Sequence, residues 1–126
     1  MVNMNALHNV GNPNQTDAKR VLCVCSAGLL RSPTTANVLY KEYGYNTRAA
    51  GMEADYALIP VTDLLLHWSD EVVCMTPYQQ QELMDRLTEL KIHSVEVYCL
   101  NIPDRFQWNN EELQSCIRVA YANREV

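Results

Sequence analysis

One join limits this chain more than any other feature: residues 21–33 pass from an apolar run straight into a helix start. Val21-Leu-Cys-Val-Cys25 is a continuous apolar stretch of the length expected for a buried strand. Ser32-Pro33-Thr34-Thr35 brings a capping hydroxyl and a proline in the first helical turn. The few residues between them must form a tight loop. A strand, a tight loop and a helix N-terminus make an anion site, because backbone N–H groups and the helix dipole point the same way. Cys25 opens that loop and Arg31 closes it. Cysteine, five residues, arginine, serine is an arrangement that can hold a phosphate-like anion against a thiol.

The rest of the chain alternates strand-like and helix-like segments. Residues 1–18 lack apolar periodicity and read as a mobile tail, which leaves 19–126 as one folded domain. After the first strand, a helix is predicted to about Tyr43, with Ala36, Val38, Leu39 and Tyr40 inward and Gly44 stopping it. A strand over 45–50 follows, then a loop over 52–59. A helix from Pro60 or Val61 through His67 is expected to bury Leu64, Leu65 and Leu66. Further strands are expected at 71–75 and 95–100. Between them runs a helix capped by Thr76-Pro77, with Tyr78, Leu83, Leu87 and Leu90 near helical spacing. Asn110 caps a last helix to about Asn123. Such alternation predicts an α/β fold with three layers, α/β/α, around a four-stranded parallel sheet. Right-handed crossovers favour the order 2-1-3-4. Ligands of such sheets sit at the carboxyl ends of the strands, where the strand order reverses. That point is the end of the first strand, beside Cys25. The loop over 101–109 leaves the fourth strand on the same rim and carries Asp104 and Phe106 towards it.

Bulk charge narrows the partners. A 126-residue chain with 48% hydrophobic residues can build a single core. The net charge of −5 and the lack of a basic block argue against nucleic acid. No apolar stretch has the length of a membrane span and no secretory signal is read, so neither a membrane nor an oxidising compartment is expected. The cytoplasm, with reduced thiols, is the expected location. The five cysteines have no zinc-site spacing, and no metal or cofactor is expected. Cys23, Cys74 and Cys99 lie in apolar runs and read as buried and inert. Cys25 ends its run where the chain turns polar.

The chemistry follows from the residue types. A helix N-terminus, a guanidinium and a hydroxyl donor each favour a thiolate, so Cys25 is the expected nucleophile. Arg31 offers a planar fork that matches two phosphate oxygens, and it would otherwise oppose the helix dipole. Ser32 is read in two roles, as a helix cap and as a donor to the Cys25 sulfur. Ser26, Ala27, Gly28, Leu29 and Leu30 supply the loop's backbone N–H groups, and Gly28 suits a loop that must turn them inward. Phosphoryl transfer to sulfur needs a proton for the departing oxygen. Asp104, in Asn101-Ile-Pro-Asp-Arg-Phe106, is the expected general acid, and Phe106 the expected pocket wall.

These motifs resemble the low-molecular-weight protein tyrosine phosphatases over most of residues 20–122. The likeness rests on Cys25-Ser-Ala-Gly-Leu-Leu-Arg-Ser-Pro33 after the first strand and Ala50-Gly51 after the second. Asp70-Glu-Val-Val-Cys-Met75 and Ile102-Pro-Asp104 complete it. It is nearest to a short bacterial branch with an Ile-Pro-Asp loop before the last helix. The resemblance implies a phosphocysteine intermediate, no metal, and a phosphotyrosine protein or small aryl phosphate as substrate, with phosphate or vanadate as a site ligand. By matching positions it makes Cys25 nucleophile, Arg31 phosphate binder, Ser32 thiolate stabiliser and Asp104 acid. Tyr56 stands nearest to the family's pocket aromatic, and Met52 is expected beside it. Leu30 occupies the place of a frequent second cysteine, which removes a disulfide guard. Cys23 shares the strand face of Cys25 but is poorly spaced to replace that guard. Two alternatives remain at this point: arsenate reductase on the same fold, and a non-catalytic phosphate-binding module.

Overall fold

The computed structural model describes residues 18–26, 31–53, 57, 59–103 and 110–124. Its elements are β1 (Arg20–Cys25), α1 (Arg31–Tyr43), β2 (Asn46–Gly51), α2 (Asp63–Trp68), β3 (Glu71–Cys74), α3 (Pro77–Glu89), β4 (Glu96–Cys99) and α4 (Glu111–Ala122). The strands form one parallel sheet in the order β2-β1-β3-β4. Val24 is paired with Ala50, Leu22 with Val72 and Val73 with Tyr98.

The period-two geometry of a strand divides β1 between two cores. Val21, Cys23 and Cys25 face α1 and α4, where they meet Val38, Leu39, Leu113 and Ile117. Leu22 and Val24 face α2 and α3, where they meet Leu65, Leu66, Leu83 and Leu87. The continuous apolar run exists because both faces of the strand are covered. The layers are therefore helix, sheet, helix, as expected.

Local chemistry sets the ends. Gly44 stops α1 at φ 72°, its N–H bonded to Tyr40 O at 2.8 Å. The Thr62, Thr76 and Asn110 side chains accept N–H bonds from the first turns of α2, α3 and α4.

Several expectations need correction. The helix expected from Pro60 or Val61 starts at Asp63. Pro60 instead bridges Gly51 as extended backbone, and Gly51 N–H and Val61 N–H bond to Ile59 O and Gly51 O. Leu64 is 73% exposed rather than buried, and Tyr78 is 74% exposed. Successive helical residues lie about 100° apart, so three leucines in a row cannot all face inward. Tyr40 and Cys99 are only half-buried. The third strand stops at Cys74, because the next N–H, that of Met75, goes to Gln79 Oε1.

The amino ends of the strands, opposite the Cys25 rim, hold a buried carboxylate. Glu71 Oε1 meets Lys19 Nζ at 2.7 Å and Arg124 Nη2 at 3.7 Å, and Oε2 accepts from the Tyr121 hydroxyl at 2.7 Å. Tyr121 stacks edge-on against Tyr43 and Tyr45, with the Arg124 guanidinium 3.7 Å from its ring centre. A buried charge is tolerated only with this kind of pairing. Among the described residues no helix is long and apolar enough to cross a membrane.

Candidate active site

β1 ends on Cys25, which is 2% exposed, and α1 begins on Arg31, which is 3% exposed. The chain therefore does bring a cysteine and an arginine to one end of the sheet, each anchored by a regular element. Cys25 Sγ lies 3.2 Å from Ser32 Oγ. The Ser32 hydroxyl also reaches Ala50 O, at 3.3 Å, on the neighbouring strand. Ser32 is thus the second residue of the helix, and its side chain turns to the sulfur and to β2. The helix-cap reading of Ser32 is corrected, because the helix already begins at Arg31 and Ser32 lies inside it.

Backbone bonds extend the sheet beyond its strands on both sides of β1. Met52 N–H donates to Cys25 O at 2.8 Å, and Glu53 N–H to Ser26 O at 2.9 Å. The start of the Cys25 loop is held by the segment after β2. Across the sheet, Leu100 N–H donates to Cys74 O at 2.9 Å and Ile102 N–H to Met75 O at 3.0 Å. The segment after β4 is thereby tied to the end of β3. Arg31 joins the two halves, with Nη1 donating to Ile102 O at 2.8 Å inside the protein. Asn101, between the two tied residues, has φ 57°, in the left-handed region.

Gln79 adds a contact that sequence reasoning missed. Its side chain is buried, its Oε1 accepts from Met75 N–H at 3.0 Å, and its Nε2 lies 3.5 Å from Ser26 Oγ. A signal was present. Thr76 followed three residues later by glutamine is a capping-box pattern, and Thr76 Oγ1 does accept from Gln79 N–H at 3.1 Å. The returning glutamine bonds one residue before the cap and continues towards Ser26.

None of the five cysteines is in a disulfide. Burial, with the nearby charges of Glu71 and Cys25, pushes the Cys23 thiol well above its ordinary range. Burial, then the charge and hydrogen bond of Cys99, push Cys74 up to about 12. Both are poorly suited to nucleophilic or exchange chemistry at neutral pH. Among the described residues no group of three His, Cys, Asp or Glu is placed to hold a metal ion.

Of the site residues expected from sequence, Cys25, Ser26, Arg31 and Ser32 are brought together, and Met52 adjoins them through its N–H bond to Cys25 O. Ala27, Gly28, Leu29, Leu30, Tyr56, Asp104 and Phe106 lie outside the described residues.

Known structures give this geometry a setting. The tyrosine phosphatase Wzb from Escherichia coli, crystallised with phosphate, matches at a TM-score of 0.62 and 14% identity, over 84% of this chain and 95% of its own. A mutant of YwlE from Bacillus subtilis matches at 0.58 and 20% identity, over 83% and 98%. The tyrosine phosphatase AmsI from Erwinia amylovora matches at 0.58 and 15% identity, over 84% and 90%. The fold is that of the bacterial low-molecular-weight tyrosine phosphatases. At these identities the likeness is one of fold. No family model matches the sequence, and no curated protein matches it. Within a phosphatase fold, what Cys25, Arg31 and Ser32 do must be argued from their own chemistry.

Proposed function

We propose that the protein is a cysteine-dependent phosphatase that hydrolyses aryl phosphate monoesters, phosphotyrosine in proteins among them. The observation that carries this reading is the Cys25 sulfur beside the Ser32 hydroxyl at the carboxyl end of β1, with the buried Arg31 opening the next helix. In the first step Cys25 Sγ attacks phosphorus and the ester P–O bond breaks. Asp104 gives its proton to the departing phenolic oxygen. In the second step Asp104 takes a proton from water, the water oxygen attacks phosphorus, and the S–P bond breaks to return the thiolate and inorganic phosphate. Arg31 and the backbone of residues 26–30 hold the equatorial oxygens through both steps. Arsenate reduction would need further thiols to take over the oxidised sulfur, and burial holds two of the four others, Cys23 and Cys74, in the poorly reactive thiol form.

The test compares the wild type with Cys25→Ser and Asp104→Asn on para-nitrophenyl phosphate and phenyl phosphate. Cys25→Ser should lose turnover while still binding vanadate. Asp104→Asn should lose on the order of a hundredfold on phenyl phosphate, whose oxygen needs the proton, and far less on the nitrophenyl ester. Hydrolysis retained by Cys25→Ser would sink the reading, and a wild type that binds vanadate without any turnover would point instead to a non-catalytic phosphate module. Full activity of Asp104→Asn on phenyl phosphate would remove Asp104 as the acid.

A further inference from the structure

We propose that Asn101 is a positioning residue for Arg31, acting through the carbonyl of Ile102. The inference rests on the phosphatase reading for its consequence in phosphate binding, although its geometry stands without it. The segment from Leu100 to Ile102 is held at both ends. The Leu100 and Ile102 side chains are buried in the core shared with α1 and α4. Their N–H groups bond to Cys74 O and Met75 O. The exposed Asn101 is the turn between these two bonds, and its left-handed backbone lets the chain make both and so seats Ile102, carbonyl included. Asn101 adopts φ 57°, and the carbonyl lies 2.8 Å from Arg31 Nη1.

Asparagine enters the left-handed region more readily than other residues with a Cβ, glycine does so freely, and β-branched residues resist it. Because Asn101 is exposed, what it supplies is backbone geometry rather than packing. A residue that resists φ 57° must either keep the strain or release it by turning the 101–102 backbone. Release pulls Ile102 off its N–H bond to Met75 O and carries its carbonyl away from the Arg31 guanidinium. An arginine that must present a planar fork to phosphate gains from being held before the ligand arrives.

The experiment uses the full chain with Asn101→Gly, Asn101→Ala and Asn101→Val. Two readouts are taken: crystal structures for the Arg31 Nη1 to Ile102 O distance, and inhibition by vanadate alongside KM and kcat on para-nitrophenyl phosphate. Asn101→Gly should keep the contact and bind vanadate within twofold of wild type. Asn101→Val should open the contact beyond hydrogen-bond distance and weaken vanadate by about tenfold, the worth of one buried hydrogen bond, with KM rising more than kcat falls. Asn101→Ala should shift vanadate in the same direction by two- to threefold, which keeps the test open if the valine variant does not fold. A folded Asn101→Val or Asn101→Ala with the 2.8 Å contact intact and wild-type vanadate affinity overturns the proposal. Wild-type protein that neither turns over nor binds vanadate overturns the phosphatase reading instead, and the measured contact distances still decide the role of Asn101.

Discussion

Replacing Ser32 by alanine tests the site most directly, because the Ser32 hydroxyl has one proton and two acceptors. Cys25 Sγ is 3.2 Å from Ser32 Oγ and Ala50 O is 3.3 Å from it. While Cys25 is a neutral thiol, its S–H can donate to Oγ and the hydroxyl can donate to the Ala50 carbonyl. Once Cys25 is a thiolate, the hydroxyl must turn to the sulfur, and the carbonyl gives up that bond. The serine therefore favours the thiolate only by the difference between a charge-assisted bond and the neutral bond to Ala50, the thiol being a weak donor whose own bond counts little. With about 1.5–3 kcal/mol for the first and about 0.5–1.5 for the second, that difference is about 1–2 kcal/mol. It corresponds to roughly 5- to 30-fold in reactivity at neutral pH, where the thiolate is the reacting form.

Two assays read it. The rate of iodoacetamide alkylation at Cys25, resolved by mass spectrometry, needs no assumption about substrate. The kcat/KM on para-nitrophenyl phosphate reads the same step in the proposed reaction. Both should fall by the same roughly 5- to 30-fold in Ser32→Ala. The fold should weaken by only about 1 kcal/mol, since the Ala50 carbonyl loses one donor. If both rates stay within twofold of wild type, the hydroxyl does not stabilise the sulfur, and its bond to Ala50 is its whole role. If alkylation falls while kcat/KM does not, the thiolate is not the species that limits turnover.

Two further predictions concern the frame of the site. Tyr121→Phe removes the hydroxyl that donates to buried Glu71 but keeps the ring contacts, so it should destabilise the protein by about 2 kcal/mol in urea unfolding, and a change under about 0.5 would refute the assigned bond. Burial and the hydrogen bonds to Glu71 and Tyr45 push the Tyr121 phenol far above its ordinary value, so above pH ~10 the unfolded chain releases a proton that the folded chain keeps. The stability from that bond is complete below pH ~10 and is lost as the pH rises through the folded value, and the alkaline decline should be shallower in Tyr121→Phe. Lys91 sits at φ 59° just past the Leu90 cap of α3, with its N–H on Thr88 O. Lys91→Gly should stabilise by about 0.5–1 kcal/mol, relief of left-handed strain less the added freedom of the unfolded chain, and a lower urea midpoint would contradict it.

What could be read from the sequence, and what could not, follows a physical division. Val21-Leu-Cys-Val-Cys25 announced a strand buried on both faces, because only such a strand is apolar at every position. Thr76-Pro77, Asn110 and Gly44 announced helix ends, because each does local work with its own backbone neighbours. The fold's topology followed from those elements and the handedness of their connections. Leu64 was misplaced because residue type alone does not say which side of a short helix faces inward. The contacts that build the candidate site are of another kind. Arg31 is held by the carbonyl of Ile102 and Ser32 by the carbonyl of Ala50, and every residue has a carbonyl. Nothing in the letters marks which one will point at a guanidinium or a hydroxyl seventy or twenty residues away. Asn101 is the partial exception: asparagine before an apolar residue at a strand end is a plausible left-handed site. Only the sheet, by committing Leu100 and Ile102 to β3 and the core, turns that local conformation into a carbonyl placed on Arg31. The cysteine, arginine and serine at the end of β1 could thus be singled out in advance, whereas the backbone that holds them became visible only with the fold.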